Sequence, residues 1–130
     1  MAANSAPRMV LPVNSVAAAE ISAANTARDG TGTVPTIFTA GSEGSLIELI
    51  RVVAEGTTTA GMVRIFLHNG ATFFLYDEIP VSAITPSATV EVFQGEIVPS
   101  KPLVLPTGWT LRASTHNAEV FNVFVTGGNY

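Results

Sequence analysis

Apolar and polar residues alternate along most of the chain, and turn-forming residues interrupt the alternation at intervals of about 8–12 residues. The pattern is clearest from Gly61 to Val81, GMVRIFLHNGATFFLYDEIPV, where two apolar-rich runs flank Asn69-Gly70. Asn-Gly favours a type I′ hairpin turn because both central residues must take positive φ. A turn there sets His68 against Ala71, Phe66 against Phe73, Ile65 against Phe74 and Arg64 against Leu75. One face then carries Val63, Ile65, Leu67, Phe74 and Tyr76, and the other Met62, Arg64, Phe66, Phe73, Leu75 and Asp77. The first is a core face. The second is more apolar than a solvated sheet face should be.

Elsewhere the same reading gives strands joined by Gly, Pro and Asn turns. Residues 1–14 form an extended arm, because Pro7 and Pro12 fix their own φ and bias the preceding residues towards extended backbone. Ser15 to Ala24 alternates as an edge strand, although its alanines also suit a helix. NTARDGTGTV (25–34) is a turn-rich loop, and PTIFTA (35–40) a short strand whose leading proline suits an entrance or an edge. SLIELIRVVAE (45–55) is a long strand rich in β-branched residues. Glu48 and Arg51 fall on opposite faces of it at period two, so it contains a bulge or is covered on both sides. TVEVFQGEIV (89–98) reads as a strand with a bulge or close backbone approach at Gly95, and KPLVL as a short edge segment between prolines. WTLRASTH places Trp109, Leu111 and Ala113 inwards, and EVFNVFVTG follows. About eight strands without a convincing helix or an internal repeat specify an all-β, antiparallel β-sandwich, jelly-roll-like, over 15–130.

Composition changes this picture in one respect. Charged residues are 12% and hydrophobic residues 47%, so little charge is available to cover a solvated surface. A partner or neutral polar residues must cover the rest. A net charge of −4 with Lys101 as the single lysine argues against a phosphate-binding surface, so no nucleic acid is expected. The absence of cysteine removes disulfides, thiolate metal sites and a cysteine nucleophile. The amino terminus lacks the charged-then-apolar layout of a secretory signal, and no window approaches the length of a membrane-spanning helix, so no membrane partner is expected.

The chemistry-bearing residues are sparse. Glu91 and Glu96 fall on opposite strand faces, as do Asp77 and Glu78, unlike a glycosidase carboxylate pair. Asp77 lies diagonally across the hairpin from Arg64, where an ordinary cross-strand ion pair accounts for it. Ser114, His116 and Glu119 sketch a triad, but without a nucleophile elbow, oxyanion donors or a separately placed base. His68 and His116 both adjoin turns, where a histidine caps a carbonyl or is solvated. Two histidines with scattered carboxylates fall short of a metal set, GTGT and GSEGS lack the helix and lysine of a phosphate loop, and no cofactor is expected. The chain is not an enzyme on this reading. What stands out instead is the second hairpin face, where Met62, Phe66, Phe73 and Leu75 need either an intramolecular cover or a subunit or capsid interface.

The phrases NTARDGTGTVPTIFTAGSEGSLIELIRVVAEGTTTAGMVRIFLHNG and LPTGWTLRASTHNAEVFNV resemble a family of small tailed-bacteriophage virion proteins, across Asn25 to Asn129 or about four-fifths of the chain. The resemblance implies a jelly-roll capsid decoration, or cement, protein on the outer surface of an icosahedral head, with the major capsid protein as partner and a homo-oligomer, dimer or trimer, as its form. It carries no catalytic motif and assigns no residue roles. Within it, Pro7, Arg8, Met9, Val10, Leu11 and Pro12 would be a capsid-contacting arm. The alternatives are another virion module, such as a head-fibre base, tail or adaptor subunit, or a carbohydrate-binding β-sandwich.

Overall fold

Strand β3 (Ser45–Ala54) is the hub of the architecture in a computed structural model that describes residues 15–130. The expected arm, including Pro7 to Pro12, lies outside the described residues. β3 pairs with β9 (Phe121–Asn129) along one edge. Its other edge is shared between β6 (Gln94–Ile97), beside Ile50 to Val53, and β7 (Leu103–Leu105), beside Ser45 to Ile47. β1 (Ser15–Ile21) adds outside β9, giving the order β1-β9-β3-β6. The second sheet runs β2 (Thr36–Thr39), β8 (Thr110–Thr115), β4 (Gly61–His68), β5 (Phe73–Val81).

Every pairing is antiparallel, and the partners nest: β1 with β9, β2 with β8, β3 with β6, β4 with β5. That is one long hairpin rolled over itself, the jelly-roll arrangement. Among the described residues there are nine strands and no helix. The extra strand, β7, occupies the part of β3 that β6 is too short to reach. The core lies between the sheets. Ile21, Ile50, Val52, Phe121, Val123 and Val125 meet Val63, Ile65, Ile79, Leu111 and Ala113, all buried, and Phe93 packs edge-on against Phe121 at 6.4 Å.

The structure settles the ambiguity of β3 and corrects two other expectations. The β3–β9 register slips between Ile47 and Leu49, so Glu48 is a bulge residue that points to solvent while Ser45, Ile47, Ile50, Val52 and Ala54 all stay buried. The hairpin turn is displaced by one residue from the expected Asn69-Gly70 to Gly70-Ala71, since the Asn69 N–H donates to the Thr72 carbonyl at 3.2 Å. Its last pair is His68 with Phe73, and the intervening loop is held by Asn69, whose Oδ1 accepts from the N–H of Ala71 (2.9 Å) and of Thr72 (2.7 Å). The asparagine side chain thus bonds backbone groups of the turn itself. A second slip, between Ile65 and Phe66 on β4, leaves Tyr76 as the extra residue on β5. Arg64 therefore faces Glu78 rather than lying beside Asp77. The strand expected over 89–98 is also shorter, forming only at Gln94–Ile97. Gly95 there is a close approach between the sheets, since a Cβ on it would sit 2.8 Å from Ile79 Cγ2.

The closest backbone approach is at Gly127, where a Cβ would come within 1.9 Å of the Leu46 carbonyl oxygen. Gly127→Ala is expected to destabilise the fold by about 3 kcal/mol, near the upper end of overpacking costs. Gly56→Ala, where nothing lies within 4 Å, serves as the control. Urea midpoints of the two variants check this, and equal midpoints would refute it.

Candidate interaction surfaces

Both faces of β4 are buried. Val63 and Ile65 point into the core, while Arg64 and Phe66, at 1% and 0% exposure, point the other way. The outward face is sealed by residues 22–35, which leave β1, cross the outside of the β2-β8-β4-β5 sheet and return to β2. Asn25 N–H donates to the Thr115 carbonyl at 2.8 Å, and Ala24 bridges Thr115 in parallel. The strap closes on itself through the buried Asn25 side chain, whose Nδ2 donates to the carbonyls of Thr31 (2.8 Å) and Thr33 (3.0 Å) and whose Oδ1 accepts from Ala27 N–H (3.0 Å). At its tip Gly30, at φ 89°, lies flat on the Phe73 ring, where any Cβ would stand 2.4 Å from the side chain. Phe73 is edge-on to Phe66, and Arg112 stacks over its ring at 5.5 Å.

Beneath the strap lies an ionic cluster. Glu78 Oε2 accepts from Arg28 Nε at 2.8 Å and from Arg64 Nε at 2.9 Å. Arg64 Nη1 donates to the Asn25 carbonyl (3.3 Å), and Arg64 Nη2 lies 3.2 Å from His116 Nδ1. Since a guanidinium can only donate, His116 accepts through Nδ1 and carries its proton on Nε2. The Arg28 guanidinium, bonded to Glu78, holds that carboxyl below its ordinary range; Arg64 adds to this, and desolvation opposes it. The sketched triad does not assemble. Glu119 Oε1 accepts from Thr59 N–H and Oγ1, His116 is committed to Arg64, and Ser114 Oγ is buried beside Arg64 without a hydrogen-bond partner. His68 does cap its turn, accepting from Gly70 N–H at 3.3 Å.

Of the residues expected at an interface on this face, Phe66 is sealed inside the chain, and Met62 and Phe73 are half-buried. Leu75 remains open, at 40%. Phe66 therefore cannot contact a partner while the strap is in place. The covering role of 22–35 was hidden in the sequence, because a loop of small polar residues carries no apolar stripe to mark the surface it lies on.

The outer face of the β1-β9-β3-β6 sheet has no such cover among the described residues. Reading across its strands, one row holds Val16, Thr126 and Leu49, and Val98, one residue past β6, continues it. The next holds Ala18, Phe124, Arg51 and Glu96, and the third Glu20, Asn122, Val53 and Gln94. Arg51 bonds Gln94 at 2.6 Å and lies 3.6 Å from Glu96. Glu20 is hydrogen-bonded to Glu55, which, with desolvation, raises the Glu55 carboxyl above its usual range. Val16 and Val98 are 64% and 65% exposed, the most open large hydrophobic residues described.

No family model matches the chain, and no curated protein matches it. Among solved structures, the chain is similar to a pentameric capsid protein isolated from metagenomic phage sequences, at 16% identity and a TM-score of 0.40. That alignment covers 88% of this chain and 59% of the other, so this chain spans less than two thirds of that protein's length.

Removing Glu78 leaves a buried guanidinium without its carboxylate, and Glu78→Ala is expected to cost about 2–3 kcal/mol, somewhat below the figure for a fully buried pair because Glu78 is partly solvated. Arg28→Ala, at an exposed partner, is expected to cost under about 1 kcal/mol. Equal losses in thermal or urea unfolding would show that Arg64 does not depend on Glu78. The pH dependence follows from the same pair. Because the folded-state pKa of Glu78 lies below its unfolded value of 4.5, its contribution is present above about pH 4.5 and is lost as pH falls through the folded pKa. The stability gap between wild type and Glu78→Gln should therefore shrink on acidification below that point. Glu55 acts with the opposite sign, which is why the difference between the two proteins, and not the wild-type curve alone, is the readout. A gap independent of pH would refute the assignment.

Proposed function

We propose that this protein is a non-enzymatic structural component of a tailed-phage virion, and specifically a decoration or cement protein bound to the outer surface of an icosahedral head. The observation that carries this reading is a jelly-roll sandwich with one outer sheet face strapped shut and the other left uncovered among the described residues, with Val16 and Val98 well exposed along it. The phrases shared with small virion proteins run through the strap and on into β4, and again from β7 into β9. The titratable groups under the strap are held in structural bonds: Glu78 to two arginines and His116 to Arg64. On this reading the partners are the major capsid protein and further copies of this chain, and Pro7, Arg8, Met9, Val10, Leu11 and Pro12 add contacts to the shell.

A carbohydrate-binding sandwich is the second reading, and one observation favours it. Phe74, 45% exposed, stacks on Trp109 with centroids 5.8 Å apart and planes 13° from parallel, giving a flat aromatic platform at the hairpin end.

Quantitative mass spectrometry of purified particles tests the first reading. A copy number comparable to that of the major capsid protein is expected. A few copies per particle would refute decoration in favour of a tail, fibre or adaptor position, and specific glycan binding lost in Phe74→Ala would transfer the assignment to the second reading.

A further inference from the structure

We infer that the open face of the β1-β9-β3-β6 sheet is a self-association surface, and that its occupant is the same face of a second copy, related by a two-fold axis parallel to the strands and running between β9 and β3. The inference asks only for another copy of this chain, so it stands or falls apart from the virion reading.

The register supplies the argument. Such an axis lays β1 of one copy over β6 of the other and β9 over β3, each residue at its own height, as an isologous contact requires. Val16 then meets the partner copy's Val98 across both ends of the same row, Thr126 meets Leu49, and Phe124 meets Arg51. The two most exposed apolar side chains cover each other. A guanidinium comes to lie on an aromatic ring, a favourable pairing in a desolvated contact. In the outer columns Ala18 faces Glu96, and Glu20 faces the neutral Gln94. No two like charges oppose one another.

The other in-plane axis, perpendicular to the strands through the row of Phe124 and Arg51, places Arg51 on Arg51 and Glu96 on Glu96. Like charges directly opposed across a sheet contact are destabilising. The charge pattern therefore selects one orientation of the second copy. Sheets that meet face to face stay within about 30° of alignment, which keeps these pairs in register. Orphan apolar side chains on an uncovered face are what such a contact removes from water.

The chain contains no cysteine, so thiol-specific cross-linking reports on this geometry without background. Val16→Cys and Val98→Cys are made as separate full-length variants, both at open positions that tolerate substitution. Facing sheets lie about 10 Å apart, beyond the reach of a disulfide, so a short bismaleimide spanning about that distance is the probe; two copies of the same variant would hold their thiols at opposite edges of the contact, a further ~14 Å apart across four strands. An equimolar mixture treated with it should give a covalent dimer on a denaturing gel, while either variant alone gives little. Cross-linking of Val16→Cys with itself would indicate edge-to-edge pairing of β1 and overturn the inference, as would a mixture that stays uncrosslinked. As an independent measure, Ala18→Lys, which faces the partner copy's Glu96, should tighten self-association in sedimentation equilibrium by about two- to fivefold, and Ala18→Glu should weaken it by a similar factor. Equal effects from both, or a chain that is monomeric throughout, would refute it.

Discussion

A guanidinium buried at 1% exposure has to be hydrogen-bonded and neutralised where it sits, and Arg64 meets that requirement with groups from three separate segments. Glu78 comes from β5, His116 follows β8, Asn25 belongs to the strap, and Arg28 joins through the shared carboxylate. Taking an unpaired charge out of water costs several kcal/mol, so with the strap closed over Arg64 each of these partners is needed to hold the cation there. The cluster therefore fixes the position of 22–35, and with it the burial of Phe66 and the packing of Gly30 on Phe73.

The two sheets consequently present different outsides. One is closed by a strap whose polar groups are satisfied internally, chiefly by Asn25 and Asp29. The Asp29 carboxylate is held below its usual range by hydrogen bonds from Thr31. The other is a sheet face uncovered among the described residues, whose central charges, Arg51 and Glu96, compensate each other, with Glu20 on β1 and small, polar or apolar residues elsewhere. For a chain with 12% charged residues, that face still carries Glu20, Arg51 and Glu96, and what sets it apart is its open apolar residues, Val16 and Val98.

The alternation of apolar residues was enough to read the all-β class, the edge position of PTIFTA and KPLVL, the length of β3 and the close approach at Gly95. Each rests on a local rule, period two or the absence of a proline N–H or a Cβ, that does not depend on distant residues. The hairpin turn was misread because Asn69 satisfies either of two turns, and only the β4–β5 register, bulged at Tyr76, distinguishes them. A bulge leaves almost no trace in composition, yet this one exchanged Asp77 for Glu78 opposite Arg64. The cover of the second hairpin face stayed open in the sequence for a related reason. Phe66 and Phe73 did need a cover, as their hydrophobicity required, but the choice between a strap and a partner depended on where 22–35 crosses the sheet.

By itself, then, the sequence determined which residues must leave water and at what spacing, because hydrophobicity and backbone sterics act residue by residue. It determined that Met62, Phe66, Phe73 and Leu75 form one stripe and that the chain has too little charge to solvate every face. The tertiary structure alone decided which face is covered. Strand order brings Val16, Leu49 and Val98 into one row from three distant parts of the chain, and the pairing of Arg64 with Glu78 holds a loop over the other sheet. Both depend on contacts between residues far apart in sequence, which no local pattern encodes.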